Sequence, residues 1–258
     1  GPVSITREGP PDGRVCLLVH GAPGSARDFR YLAPALVTRG FSVVRVDMPG
    51  FGGTPVSVWP RTDLEARAHF VLEVARRVAP RYSFVGHSVG GACCLVAAAM
   101  AQGEIDALVL VNSIGVQRHR GMQVPEQVAE LLRRALGVRA IGDFVVERAR
   151  PLMRGLGFHP DDTEALSVEQ LTQLAAIVGG LDFLLLRRSA RAVPCQTLVV
   201  SSEDDPLVEP RISHGLYDAL RRTARPRQLH LATGGHYLQK HAAHDIALQL
   251  SEMLATTS

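Results

Sequence analysis

Residues 82–94 read YSFVGHSVGGACC. A polar residue, Ser88, stands between two apolar runs and is fenced by Gly86, Gly90 and Gly91. A buried strand has no use for those glycines, and a helix interior is weakened by each of them by ~1 kcal/mol. The stretch makes sense as a strand, YSFV, a sharp turn at Ser88, and a helix that begins VGG. In that setting Gly86-His87-Ser88-Val89-Gly90 fits G-x-S-x-G, in which a serine on a strained strand-to-helix turn projects its hydroxyl from the sheet. Glycines two before and two after let neighbouring backbones close in without a Cβ clash. The N-terminus of the following helix faces any anion formed there.

Outward from this turn the chain alternates. RVCLLVHG (14–21), FSVVRVDMPG (41–50), IDALVLVN (105–112), QTLVVSS (196–202) and RQLHLAT (227–233) are short apolar runs closed by turn residues and read as strands. Between them, 25–40, 62–80, 89–103, 209–222 and 242–255 carry helical spacing. Thr62, followed by Glu65 three residues on, reads as the cap of the second helix. Residues 113–195 break the rhythm with three helical patterns, at 124–137, 140–157 and 167–190, and no convincing strand. Strand–helix alternation predicts an α/β fold with a mainly parallel, doubly wound sheet and right-handed crossovers. The expected division is a core of 1–113 and 194–258, with an all-helical lid, 114–193, inserted before the last two strands. Ligands in such sheets bind at the carboxyl ends of strands, so the reactive residues belong just after them.

Bulk properties narrow the function. The chain has 258 residues, 46% of them hydrophobic, and a formal net charge of +3 from 28 basic and 25 acidic residues. That balance gives no footing for nucleic acid or an anionic membrane surface. No apolar stretch is long enough to span a bilayer. Lys240 is the only lysine, which reads as arginine-favouring codon usage. The four cysteines, Cys16, Cys93, Cys94 and Cys195, sit in apolar contexts without a CxxC pair and are expected as buried thiols of a cytoplasmic protein. The opening GPVSITREGPPDG shows no signal-peptide pattern. Gly1-Pro2 has the form of an expression scar, so a natural start upstream stays open.

A serine hydroxyl is a weak nucleophile without a base. His236, in LATGGHYLQK, follows the last strand and a Gly234-Gly235 turn, and is the histidine placed to serve. His20 and His87 border the site in other motifs, and His241 and His244 fall on the closing helix. The imidazole needs a carboxylate to fix its tautomer and stabilise its charge. VVSSEDDPLVEP (199–210) offers Glu203, Asp204 and Asp205 just after a strand.

LLVHGAPGS, VDMPGFGGT, FVGHSVGGA, DDPLVEP and GGHYLQKH together resemble the α/β-hydrolase fold superfamily, in the family's order and over nearly the whole chain outside the lid. HGAPGSARDFRYL with PGFGGT is similar to a group of uncharacterised members carrying HGxPGS. The resemblance implies a Ser88–Asp205–His236 triad, the acid standing directly before a segment ending in Val-x-Pro; Asp204 is second. Where some members carry the acid after the preceding strand, this chain has Asn112. HGAPGS (20–25) resembles the family's oxyanion loop, which implies the backbone N–H groups of Ala22 and Val89 as oxyanion donors. His20 would hold that loop, and Asp47 and Gly50 would shape the neighbouring one. His87 would either touch substrate or pack. Haloalkane dehalogenases and epoxide hydrolases of this fold carry aspartate at the elbow, so Ser88 argues against both.

The implied activity is hydrolysis of a carboxylic ester or thioester through an acyl-enzyme, with no metal or organic cofactor. The substrate expected is a small, apolar acyl compound; low aromatic content, 5%, speaks against carbohydrate stacking. Other readings stay open: carbon–carbon bond hydrolysis, a lyase or cofactor-free oxygenation on the same triad, or a receptor that keeps the triad and binds a ligand. Leu131, Leu132, Leu136, Phe144, Leu152, Leu156, Phe183 and Leu185 are the candidate liners of the pocket under the lid, a minority of which would face it.

Overall fold

A computed structural model describes residues 2–122, 134–136, 139–221 and 226–255. Seven strands form one sheet: β1 (Ile5–Glu8), β2 (Arg14–Val19), β3 (Phe41–Val46), β4 (Tyr82–His87), β5 (Ile105–Val111), β6 (Gln196–Ser202) and β7 (Arg227–Leu231), in the order β1-β3-β2-β4-β5-β6-β7. Every pairing is parallel except β1 with β3. The six strands read from the sequence are the six parallel ones. β1 escaped that reading because ITRE is short, polar and mostly exposed: an edge strand needs no apolar run, since only its backbone must pair.

The helices are α1 (Leu32–Val37), α2 (Leu64–Val78), α3 (Val89–Met100), α4 (Arg139–Gly155), α5 (Pro160–Glu164), α6 (Val168–Gly179), α7 (Phe183–Ala190), α8 (Pro210–Leu220), α9 (Leu238–His241) and α10 (Ala243–Ala255). The sheet divides the core in two. In β2, Leu17 and Val19 join a cluster with α2, α3 and α7, while Cys16 and Leu18 join another with α1 and α10. Successive side chains of a strand point to opposite faces, and because both faces are covered, β4 is buried at all six positions. This is why its sequence reads as a continuous run rather than an alternation.

Two local expectations changed. The cap of α2 is Asp63, not Thr62: the Asp63 carboxylate accepts the Ala66 N–H at 2.9 Å. The one-residue shift puts Ala66 rather than Glu65 at the third helical position, so no reciprocal capping box forms. The region 25–40 is a 3-10 turn, Ala26–Phe29, capped by Ser25, followed by the short α1. Residues 113–195 contain no strand among those described. Most of the helix expected over 124–137 lies outside the described residues.

Candidate active site

β4 delivers the chain to Ser88 at φ 54°, ψ −122°, and α3 starts at the next residue. A non-glycine residue in that region costs ~1–3 kcal/mol and persists only where the surroundings enforce it. Here they do. The Ser88 N–H donates to Val111 O at 3.0 Å, and Ser88 O accepts from Gly91 N–H and Ile114 N–H. A Cβ on Gly86 would run into the Gly91 backbone, and one on Gly90 into the carbonyls of Val19 and His20. Ser88 occupies the cap position of α3, yet its hydroxyl makes no capping bond, so it is free for other chemistry.

His236 follows Gly234 and Gly235, both at positive φ. That turn is pinned from three sides. The Asp204 carboxylate accepts the N–H groups of Gly234 and Gly235 at 3.1 and 2.8 Å, and Gly235 O accepts from Asn112 Nδ2 and Ser202 Oγ. These amide bonds, the Gly235 one foremost, hold the Asp204 carboxyl below its ordinary range. Asp205 faces the other way. Its Oδ2 lies 2.8 Å from His236 Nδ1, and its Oδ1 accepts the N–H groups of Leu207 and Val208. Asp205 and His236 are 3% and 5% exposed, so this contact is shielded from water.

The HGAPGS loop is fixed by His20. Its Nδ1–H donates to Gly21 O at 2.6 Å and its Nε2 accepts Met48 N–H at 2.9 Å. Burial lowers its pKa, consistent with the neutral tautomer those bonds require. Asp47 accepts from Ala26 N–H, Gly53 N–H and Ser4 Oγ, tying that loop to DMPGFGG. His87 donates from Nε2 to His236 O at 2.8 Å, and the two rings lie 4.7 Å apart. Burial, with the neighbouring His236 second, pushes its pKa well down. It braces the His236 backbone.

Ser88, His236, Ala22 and Val89 line a single cavity of about 50 Å³. As the first residue of α3, Val89 offers one of the N–H groups that a helix leaves without an internal acceptor. The apolar wall comes from Ile114, Met122, Phe158, Leu207, Val208 and the α6 side, Leu174 to Leu181. None of the described candidate liners is there. Leu136 is buried elsewhere, Phe183 and Leu185 pack on the core, and Phe144, Leu152 and Leu156 are exposed; Leu131 and Leu132 lie outside the described residues. Spacing along α4 showed an apolar face, and it is α6 that turns its own face to the site. A larger depression of about 820 Å³ opens around Arg14, Arg81 and Gln196, at the amino ends of β2, β4 and β6, away from all five predicted residues.

Behind His236 lies a buried polar cluster. The Tyr237 hydroxyl accepts His159 N–H at 3.0 Å, and Asp162 Oδ2 is buried without a hydrogen-bond partner. Lys240 Nζ is buried without a hydrogen-bond partner, 4.5 Å from the Tyr237 ring centre. Burial first, and Asp162 second, push the Asp28 carboxyl up to about 7. The cluster is drawn from three separate stretches, around residues 28, 159–162 and 237–240, so no local motif marks it. Among the described residues no group of three His, Cys, Asp or Glu side chains is arranged to hold a metal ion. Nor is any single helix there long and apolar enough to cross a membrane.

Residues 15–243 match the sequence profile of the alpha/beta hydrolase fold. The "Putative carbamate hydrolase RutD" of Rhizobium rhizogenes is 30% identical over 222 residues, covering 80% of this chain and 82% of its own. The 2-hydroxy-6-oxo-6-(2'-aminophenyl)hexa-2,4-dienoic acid hydrolase of Metapseudomonas resinovorans is 26% identical over 233 residues, 81% of this chain and 73% of its own. The enol-lactonase of Burkholderia xenovorans superposes with a TM-score of 0.75 at 20% identity, over 98% of this chain and 96% of its own.

Proposed function

The chain belongs to the alpha/beta hydrolase fold family and is a hydrolase, and from that premise we propose that it cleaves a carboxylic ester or thioester through Ser88, His236 and Asp205. The observation that carries this is the 2.8 Å contact of Asp205 Oδ2 with His236 Nδ1, on a histidine that lines the same cavity as Ser88. Asp205 fixes the tautomer with the proton on Nδ1, which leaves Nε2 as the base. Ser88 Oγ attacks the carbonyl carbon and its proton passes to His236. The backbone N–H groups of Ala22 and Val89 receive the oxyanion, a contribution of ~10²–10³ in rate per donor. Collapse expels the alcohol or thiol, which takes the proton from His236. Water, deprotonated by His236, then attacks the acyl carbon, and Ser88 leaves with its proton restored.

The helices between β5 and β6 act as the lid of this site, 114–193, on a core of 1–113 and 194–258. The narrow apolar cavity suits a small acyl substrate from which water is excluded. Four buried, unpaired thiols fit a cytoplasmic setting. A second reading, carbon–carbon bond hydrolysis on the same residues, is favoured by the Metapseudomonas relative; release of two carbon fragments from a dienoate, with no turnover of simple esters, would select it.

The test is labelling with a fluorophosphonate probe. Wild type is expected to react, and Ser88→Ala and His236→Ala to stay unlabelled. Persistent labelling of Ser88→Ala would overturn the assignment.

A further inference from the structure

Apart from Ser88 and His236, His119 is the only nitrogen- or oxygen-bearing side chain among the described residues lining the cavity. Its place is built, not incidental. Leu207 O accepts from His119 Nδ1–H at 2.9 Å and from Gly121 N–H at 3.0 Å, while the Glu209 carboxylate accepts Arg120 N–H at 2.7 Å. The loop that carries Leu207 is the one that gives Asp205 its two backbone bonds. The ring is thus referenced to the same turn as the His236 partner.

A carbonyl only accepts, so Nδ1 of His119 carries a proton. The ring is 8% exposed, and burial lowers its pKa, so it stands neutral and Nε2 is a bare lone pair. That Nε2 is buried with no partner. A buried acceptor left unpaired costs ~1–3 kcal/mol, and native structures rarely keep one without a use. The described lining contains no Asp, Glu, Lys or Arg side chain, so among the described residues a charged donor finds no counter-ion in the wall.

We infer that His119 Nε2 is a specificity-determining acceptor for a neutral hydrogen-bond donor on the substrate, so that the preferred ester or thioester carries a hydroxyl close to its reacting carbonyl. This rests on the hydrolase reading of Ser88. A site built to accept from a hydroxyl rejects the analogue that lacks it, because the acceptor is then stranded.

The test compares kcat/KM for nitrophenyl butanoate with its 2-, 3- and 4-hydroxy counterparts, and for ethyl with 2-hydroxyethyl butanoate. One hydroxylated ester is expected to be preferred by about 10–100-fold in wild type. In His119→Asn the amide nitrogen replaces Nδ1–H toward Leu207 and nothing replaces Nε2, so the ratio falls to within about threefold of one. His119→Gln, which sets an amide oxygen near the Nε2 position, retains part of the preference. A wild-type ratio below about threefold for every isomer would mean that water satisfies His119, and would overturn the inference without any variant. A preference that survives His119→Asn would overturn it too. If no ester is turned over at all, the hydrolase reading fails separately. Thermal shifts of Ser88→Ala with 2-, 3- and 4-hydroxybutanoate and with butanoate then decide: a larger shift with one of the hydroxy acids supports the acceptor, and equal shifts with all of them sink it.

Discussion

Asp204 and Asp205 are neighbours in the chain, yet they serve opposite sides of one turn. Asp204 holds the amides of Gly234 and Gly235, while Asp205 reaches the ring of His236. The two side chains diverge in the turn that follows β6, which separates the framework of the His236 turn from its chemistry.

Asp205→Asn should therefore lower kcat by about 10³–10⁴ with little change in KM, because the wrong imidazole tautomer is favoured. Asp204→Asn keeps one acceptor and should cost melting temperature, with kcat/KM within about tenfold of wild type. Steady-state kinetics of both variants decides, and a reversal of the two effects would move the acid to Asp204.

Gly90→Ala should destabilise by about 2–3 kcal/mol, since its Cβ meets the backbone oxygens of Val19 and His20, which cannot step aside. Gly103→Ala is the control: no atom lies within reach of its Cβ, and its cost comes only from the positive φ at the end of that turn. Chemical denaturation measures both. Equal losses would show that crowding at the elbow is not what fixes glycine at position 90.

A cavity of about 50 Å³ has room for few carbons. Across a nitrophenyl ester series, kcat/KM should peak at acetate to butanoate and fall about tenfold or more by octanoate. Phe158→Ala removes an aromatic wall and should move the optimum to longer chains. An unchanged optimum would show that the acyl group lies elsewhere.

The raised carboxyl of Asp28 has a definite sign. Its folded pKa, about 7, exceeds the unfolded value of about 4. Between those values the folded chain holds a proton that the unfolded chain has released, so stability drops as pH rises through that window. Asp28→Asn should flatten the fall in melting temperature between pH 5 and pH 8. Lys240 and Arg30 favour ionisation of Asp28 but are outweighed by burial and Asp162 in that raised value, so parallel curves would show that Asp28 does not carry the trend.

Much of this was legible in the sequence. The six parallel strands announced themselves because burial on both faces demands continuous apolar runs. Gly86, Gly90 and Gly91 announced the elbow because only close backbone approach explains them. What stayed hidden depends on long-range assembly. β1 is recognised only by its partner β3. The turn from α6 into the cavity is set by packing, so the apolar face of α4 misled. Asp28, Asp162, Tyr237 and Lys240 look like ordinary surface residues until the fold gathers them, and the bond from His119 to Leu207 spans a gap no motif encodes. A lone histidine early in a helical stretch carries no signal; its unpaired nitrogen does.

The burial of Lys240 Nζ against Tyr237 has a practical corollary. The chain's sole side-chain amine is out of reach of acylating dyes and crosslinkers while His159 and Asp162 stay docked. A lysine-specific protease has a single place to cut, on α9 beside the fully buried Leu238 and Gln239, and it can cut there only when α9 itself unwinds. Nicking at Lys240 thus becomes a clock for how often the segment that follows His236 comes undone.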